Sequence, residues 1–313
     1  MKHVLSIAEL GAGNLAHLVN QGVAMANANG RLRHLLNGKI VGIFFRGTST
    51  RTRTSFTVAA LRLGAETIHY GPHDLQLVTG ESIEDTARVL SGFIDILVVR
   101  TNGDFAEMKA LACQNEMAVI NAMSENEHPT QAITDLITLK EAFGHLDGLH
   151  VLYIGEGNNS AASLALAVSL TPGMRLTVIT PEGYGLQQDV LETAHRLAAQ
   201  HQSVVEQHHC IDLLPSDVDA VYTTRWQTMG VPKADINWRE KFEPYRVTQA
   251  VMAQVSKPSG TIFLHDLPAI RGSEVVDEVL DGPQSLAFRQ ARHKLTGAMA
   301  VLSWCAESNG NGR

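Results

Sequence analysis

Arginines and small hydroxyl residues crowd one short run, Arg46-Gly47-Thr48-Ser49-Thr50-Arg51-Thr52-Arg53-Thr54-Ser55. It directly follows an apolar, strand-like segment, Ile40–Phe45, and opens a helix-like stretch, Ser55–Leu63. Hydroxyls and backbone N–H groups at a helix start are donors, and the helix dipole adds positive potential there. Arginines add fixed charge and forked donors that match phosphate oxygens. The expected chemistry is recognition of a phosphate-like anion by this run. The glycine spacing and the Gly-Lys-Ser/Thr ending of a nucleotide P-loop are missing, so the anion is not held by that device.

The charge balance agrees with a local anion site and excludes a general one. Over 313 residues the net charge is −7, yet residues 1–65 carry eight Lys or Arg and a single acid, Glu9. A uniformly basic nucleic-acid binder is ruled out, and no nucleic-acid partner is expected. With 44% hydrophobic and 18% charged residues the chain reads as an ordinary globular protein with a sizeable core. The start, MKHVLSIAEL, lacks the apolar core of a secretory signal, and no uninterrupted apolar stretch is long enough to span a membrane. Three scattered cysteines, Cys113, Cys210 and Cys305, do not suggest a disulfide framework, so a reducing, cytoplasmic setting is expected. His208-His209-Cys210 has no second ligand group at zinc-like spacing; it reads as a polar surface segment, and no metal is expected.

These residues need a frame. Strand-like runs recur at Ile40–Phe45, Ile68–Tyr70, Ile94–Val99, Val119–Ile120, Val151–Ile154, Leu176–Thr180, Ala220–Thr223 and Ile262–Leu264. Helix-like stretches lie between them, among them Ile83–Leu90, Thr130–Ala142 and Val190–Ala199. Alternation of this kind predicts an α/β protein with mostly parallel sheets flanked by helices. Two sets of four strands, split near Phe143–Gly148 and joined by a helix over Thr130–Phe143, suggest two doubly wound domains.

Ser49-Thr50-Arg51-Thr52-Arg53 resembles the Ser-Thr-Arg-Thr-Arg signature of the aspartate/ornithine carbamoyltransferase superfamily. Further matches follow in family order along almost the whole chain. They are Gly80-Glu81-Ser82 with Asp85-Thr86, Val98-Val99-Arg100 at a strand end, and His128-Pro129-Thr130-Gln131 followed by Asp135-Leu136. Trp226 with Met229-Gly230, His265 with Leu267-Pro268, Arg271-Gly272 and Asp281-Gly282-Pro283-Gln284-Ser285 complete the set. Overall the pattern is closer to the ornithine enzymes.

The resemblance implies a donor domain over residues 1–142 and an acceptor domain over 143–284, with a final helix near 285–306 packing back on the first. It places the active site in the interdomain cleft and at the subunit interface of a homotrimer. Carbamoyl phosphate would put its phosphate on Ser49, Thr50, Arg51 and Thr52, with help from Arg100. His128 and Gln131 would contact the carbamoyl group, and Arg100, His128 and Thr52 would polarise its carbonyl as an oxyanion hole. Lys294 stands near the place of a late-helix arginine, keeping the charge without the fork. Gln76, in Leu75–Val78, occupies the place of a loop that reaches into the neighbouring subunit's site. A neutral amine attacks and the departing phosphate takes its proton, so no metal or organic cofactor is expected; orientation and electrostatics supply most of the catalysis.

The acceptor half departs from the family. Ornithine enzymes read Asp-x-Trp-x-Ser-Met-Gly, with Asp and Ser gripping the amino-acid end of the acceptor; here the run is Thr224-Arg225-Trp226-Gln227-Thr228-Met229-Gly230. Thr224-Arg225-x-Gln227 instead resembles the Thr-Arg-x-Gln of aspartate enzymes, whose Arg and Gln bind carboxylates. The ornithine enzymes' His-Cys-Leu-Pro is His265-Asp266-Leu267-Pro268 here. Arg225 would hold a carboxylate and Asp266 a cationic group, with Asn159, Gln227, Thr228, Met229 and Leu267 completing the pocket. The acceptor expected is a zwitterionic diamino acid resembling 2,3-diaminopropionate, with ornithine next. Two other classes compete: a non-catalytic paralogue that keeps the phosphate pocket, and an NAD-dependent oxidoreductase suggested by Gly155-Glu156-Gly157 after a strand, where Ser160 replaces the third glycine of the dinucleotide fingerprint.

Overall fold

Unbroken apolar runs become strands buried on both faces, and amphipathic stretches between them become the helices that cover those faces. The computed structural model describes residues 1–27, 34–227 and 233–307. Two units result, one of Met1–Glu141 with Arg292–Arg313 and one of Ala142–Ala291. In chain order the first holds α1 (Ile7–Ala26), β1 (Ile40–Phe45), α2 (Thr50–Arg62), β2 (Glu66–Tyr70) and α3 (Ile83–Ser91). It continues with β3 (Ile96–Arg100), α4 (Phe105–Leu111), β4 (Ala118–Met123) and α5 (Pro129–Phe143). The second holds β5 (His150–Ile154), α6 (Asn159–Ser169), β6 (Arg175–Ile179), α7 (Gln188–His201) and β7 (Val204–His208). There follow β8 (Ala220–Thr223), α8 (Trp238–Phe242), α9 (Gln249–Val255), β9 (Ile262–His265) and α10 (Asp277–Leu280), and α11 (Ala287–Ala306) returns the chain to the first unit.

Both sheets are parallel, in the orders β2-β1-β3-β4 and β7-β6-β5-β8-β9. The doubly wound architecture expected from the alternation is therefore present in each unit. In the first unit Phe44, Ala87, Leu97, Val99, Met108 and Val119 form one apolar cluster. In the second, Ile154, Val221, Tyr245, Met252 and Phe263 do the same.

The expected four strands of the second sheet are five. β7 was not anticipated because only Val205 is buried in Val204–His208, the rest being exposed or half-buried. A strand that pairs on one side only, with β6, carries little apolar pattern. The His208-His209-Cys210 segment ends this strand, with His209 Nδ1 3.1 Å from the Thr180 carbonyl.

Strand starts in both sheets are pinned by the same device. Asp95, just before β3, accepts the Ile40 N–H at Oδ2 (2.9 Å), donates its own N–H to the Ile40 carbonyl (3.0 Å) and pairs with Lys39 (2.8 Å). Asp219, just before β8, repeats this on His150 (2.8 and 2.9 Å) with Lys257 as the cation (2.5 Å). Fixing the entry ends fixes the register at the exit ends, where Phe45 stands opposite Arg100 and Ile154 opposite Thr223.

Removing the second pin leaves the His150 N–H without an acceptor. Asp219→Ala is expected to lower the unfolding free energy by about 1–3 kcal/mol, whereas Asp219→Asn, which keeps an acceptor oxygen, loses less. Urea unfolding of both variants tests this; equal losses would show that the carboxamide oxygen does not replace the pin.

Candidate active site

The exit ends of β1 and β3 are where the first sheet reverses its winding: β1 runs on to β2 on one side, and β3 lies on the other. Such a switch point leaves a crevice at the carboxyl ends of two adjacent strands. The predicted anion run leaves β1 there, and Arg100 ends β3 there. Ser49 is the N-cap of α2 with extended backbone, and its hydroxyl makes no capping bond to the helix. The first turn of α2 contains no acid, so nothing there offsets its dipole. Thr52 is buried, Ser49 and Arg51 are half-buried and Thr50 is exposed.

The same unit holds a buried polar cluster. Arg100, His128, Gln131, Asp135 and Lys294 are all at most 8% exposed. His128 immediately precedes α5, its carbonyl accepting the Gln131 N–H (2.9 Å) and its Nδ1 lying 3.4 Å from the Thr130 hydroxyl. Gln131 joins the two ends of the cluster: its Oε1 accepts from the Lys294 ammonium and its Nε2 donates to Asp135 Oδ1 (2.7 Å). Burial holds the His128 pKa well below 6.5, and the nearby Lys294 and Arg100 charges push it the same way. A neutral imidazole therefore sits among fixed cations. Gln76 faces solvent on its own chain, at the start of a 3₁₀ turn, where its side-chain oxygen accepts from Thr79 Oγ1 (2.7 Å).

The second sheet repeats the arrangement. Its switch point lies between β5 and β8, whose exits lead to Gly155–Asn159 and to Thr224–Gln227. Asn158 caps α6, accepting from Ser160 N (3.0 Å) and Ala161 N (3.1 Å), which sets Asn159 and Ser160, both buried, in its first turn. Asp266, following β9, accepts from Ser160 Oγ and Thr224 Oγ1 at 2.8 Å each, one hydroxyl per carboxylate oxygen. The structure thus joins three of the chemically distinctive positions in one cluster.

Arg225 is half-buried, and its Nε is buried without a hydrogen-bond partner. The neighbouring Trp226 packs 5.5 Å from Phe242, centroid to centroid. Gln227 is half-buried. Thr228 and Met229 lie outside the described residues, as do Arg31 and Arg33 of the basic segment.

Asp266 is supported from behind. His265 Nδ1 accepts the Leu267 N–H (2.8 Å), so the ring proton is on Nε2 and faces Glu274 Oε1 at 3.3 Å. Leu267 itself takes a left-handed backbone conformation, φ 49°. Glu274 is fully buried, and its other oxygen has no partner.

The Gly155-Glu156-Gly157 turn does not present an open phosphate cradle. Gly157 N–H donates to the Tyr184 carbonyl (2.8 Å), and a Cβ at Gly157 would lie 2.2 Å from the Gly185 carbonyl carbon. The chain itself fills the place a dinucleotide pyrophosphate would take. Glu156 is paired with Lys233, which sits over the Tyr184, Trp238 and Phe242 rings at 4.8–5.4 Å.

Sequence reasoning missed Ser160, Glu274 and the buried Glu107, the partner of Arg46. Ser160 had a signal: it stands where a dinucleotide turn would need glycine. Glu107 and Glu274 were acids in short amphipathic or irregular segments, where burial leaves no mark on a linear pattern.

Comparison with known proteins finds both domains of one family in the chain. Residues 2–141 match the family profile described as "Aspartate/ornithine carbamoyltransferase, carbamoyl-P binding domain", and residues 147–305 the "Asp/Orn binding domain" of the same family. Over 304 residues the chain is 38% identical to a Caldicellulosiruptor saccharolyticus protein named ornithine carbamoyltransferase, covering 96% of this chain and 97% of that one. A Methanobrevibacter smithii protein of the same name is 38% identical over 267 residues, 85% of this chain and 87% of its own length. The solved ornithine carbamoyltransferase from Pyrococcus furiosus superposes with a TM-score of 0.91 at 34% identity, covering 100% of this chain and 98% of that one.

The buried neutral imidazole makes a testable claim about pH. The unfolded chain takes up a proton near pH 6.5, before native His128 does, so this residue's share of stability is full above that pH and drains away as the solution is acidified. In a pH series of imidazole NMR spectra, His128 should keep neutral-form shifts at pH 6. In His128→Gln the loss of stability between pH 7 and 5 should be shallower; an unchanged slope would contradict the assignment.

Proposed function

The chain belongs to the aspartate/ornithine carbamoyltransferase family, and from that premise we propose that it carbamoylates the amine of an amino acid. Carbamoyl phosphate is the donor, and a ureido compound and inorganic phosphate are the products. The observation that carries this reading is the gathering of Arg100, neutral His128, Gln131 and Lys294 in the same unit as the acid-free first turn of α2.

The phosphate rests on the first-turn N–H groups with Ser49, Thr50, Arg51 and Thr52. Arg100, His128 and Thr52 polarise the carbamoyl oxygen, and Gln131 and Lys294 stand beside its amide. The amine lone pair attacks the carbonyl carbon, and negative charge grows on an oxygen already surrounded by donors. The bond to the phosphate oxygen then breaks, and the departing phosphate takes the proton released by the new C–N bond. With its pKa held well below 6.5, the imidazole is a weak base: it donates an N–H to the carbamoyl oxygen and leaves the amine's proton to the departing phosphate. The assembly is a homotrimer in which Gln76 completes a neighbour's site; Leu61, Ile68, Val78, Val89 and Phe93, exposed apolar side chains of the first unit, suit such an interface. The setting is cytoplasmic.

For the acceptor, Arg225 carries an unpartnered buried Nε toward which a carboxylate can be drawn, and Asp266 offers a carboxylate fixed by two hydroxyls. A diamino acid answers both, with its carboxylate on Arg225, its charged ammonium on Asp266 and its second, uncharged amine attacking. Asn159, Gln227 and Leu267 line the remainder. The acceptor read from this pair is a diamino acid shorter than ornithine, of the 2,3-diaminopropionate kind. Ornithine is the second reading, favoured by the name that the relatives carry.

An assay for ureido products with carbamoyl phosphate and a panel of amines decides between them. The expected order is 2,3-diaminopropionate ahead of ornithine; ornithine turned over best would remove the short-acceptor reading, and phosphate binding without any product would favour a non-catalytic paralogue. Arg225→Ala should raise the acceptor KM about 10-fold or more, the scale of a charged hydrogen bond, and leave the donor KM within about two-fold.

A further inference from the structure

We infer that Glu107 is a positioning residue of the donor half-site, clamping together the two strand-exit loops that carry the donor ligands. The inference rests on the reading of that half-site as the carbamoyl-phosphate site. Glu107 lies in α4 and is 8% exposed, and a buried carboxylate needs partners. Arg46 supplies an ion pair, with Nη2 2.7 Å from Oε1, and one hydrogen bond, Nη1 donating to Oε2 at 3.2 Å. The Thr101 hydroxyl donates to Oε2 at 3.1 Å.

These partners are the residues next to the ligands. Arg46 leaves β1 three residues before Ser49, and Thr101 follows Arg100. The backbone closes the clamp, because Arg46 N–H donates to the Arg100 carbonyl at 3.0 Å. Thr101 Oγ1 also accepts the Gly103 N–H at 2.9 Å, so one carboxylate holds the course of both loops. Gly103 is shaped to admit it: a Cβ there would lie 2.4 Å from Glu107 Oε2.

The pair has an electrostatic consequence as well. Arg46 is the first cation of the basic run, and its fork is occupied by Glu107, so it is withdrawn from the anion. The phosphate is left to the α2 dipole, the hydroxyls and Arg51, whose positions depend on where Arg46 is held. Glu107 acts through Arg46 and Thr101 and does not touch the reacting atoms.

Two measurements test the clamp on Glu107→Gln. Amide hydrogen exchange should quicken in both segments 46–52 and 100–103 while the sheet core is unchanged; no change in either segment overturns the proposal. This readout needs no ligand, so it judges the clamp even if the protein fails to bind carbamoyl phosphate, a result that would instead remove the functional reading. With substrates, the donor KM should rise about 10- to 100-fold, the scale of a misplaced binding group, with the acceptor KM within about two-fold. A parallel rise in both constants would mark a merely structural role and overturn it. If Glu107→Gln does not fold, Arg46→Met opens the same clamp from its solvent side, where the arginine is 36% exposed, and should give the same split. Partial recovery of the donor KM in the exchanged pair R46E/E107R is expected as well.

Discussion

A parallel sheet that winds both ways must leave a crevice where adjacent strands send their connections to opposite sides, and both units of this protein are built around that crevice. In the first, β1 and β3 part at Phe45 and Arg100; in the second, β5 and β8 part at Ile154 and Thr223. Every side chain assigned to binding in the described part of the donor half-site, apart from Gln76 and Lys294, leaves from one of those exits or from the start of a helix beside them. The Asp95 and Asp219 pins serve this end at the opposite edge of each sheet, since strands that start in fixed register also finish in it. Chemistry at the exits thus depends on hydrogen bonds four or five residues away.

Charge management distinguishes the two crevices. The first unit concentrates cations near the exits of β1 and β3, some of them buried where each would be costly alone. His128 answers that cost by staying neutral, Lys294 by donating to Gln131, and Arg46 by pairing with Glu107. The excess of +7 in residues 1–65 is therefore not a uniform field; part of it, at Arg46 and Lys39, is spent on internal pairs.

Much of this was legible in the linear chain, for reasons that can be named. β1, β3 and β5 are nearly unbroken apolar runs because they are covered on both faces, and the anion run is dense enough in arginine and hydroxyl to stand out. β7 was not legible, because it pairs on one side only and buries a single valine. Glu107 and Glu274 were not legible either. A buried acid and an exposed one look alike in sequence when the partner, Arg46 or His265, is distant along the chain or paired through a ring nitrogen whose tautomer only the fold determines.

The acceptor crevice shows why a substitution should be read with its neighbours. The ornithine pattern has an acid at position 224 and a cysteine at 266; this chain has Thr224 and Asp266. Taken singly, the first looks like a lost ligand and the second like an intruding charge. In space the Thr224 hydroxyl donates to the Asp266 carboxylate at 2.8 Å, and Ser160 donates to its other oxygen. The carboxylate has been kept in the cluster and moved from one strand exit to the next. Its two hydroxyl donors fix its orientation, one on each oxygen. A carboxylate so held retains lone pairs for an ammonium but presents them from β9 rather than β8. That shift, more than the gain or loss of any one charge, is what sets this cluster apart from the pattern it resembles.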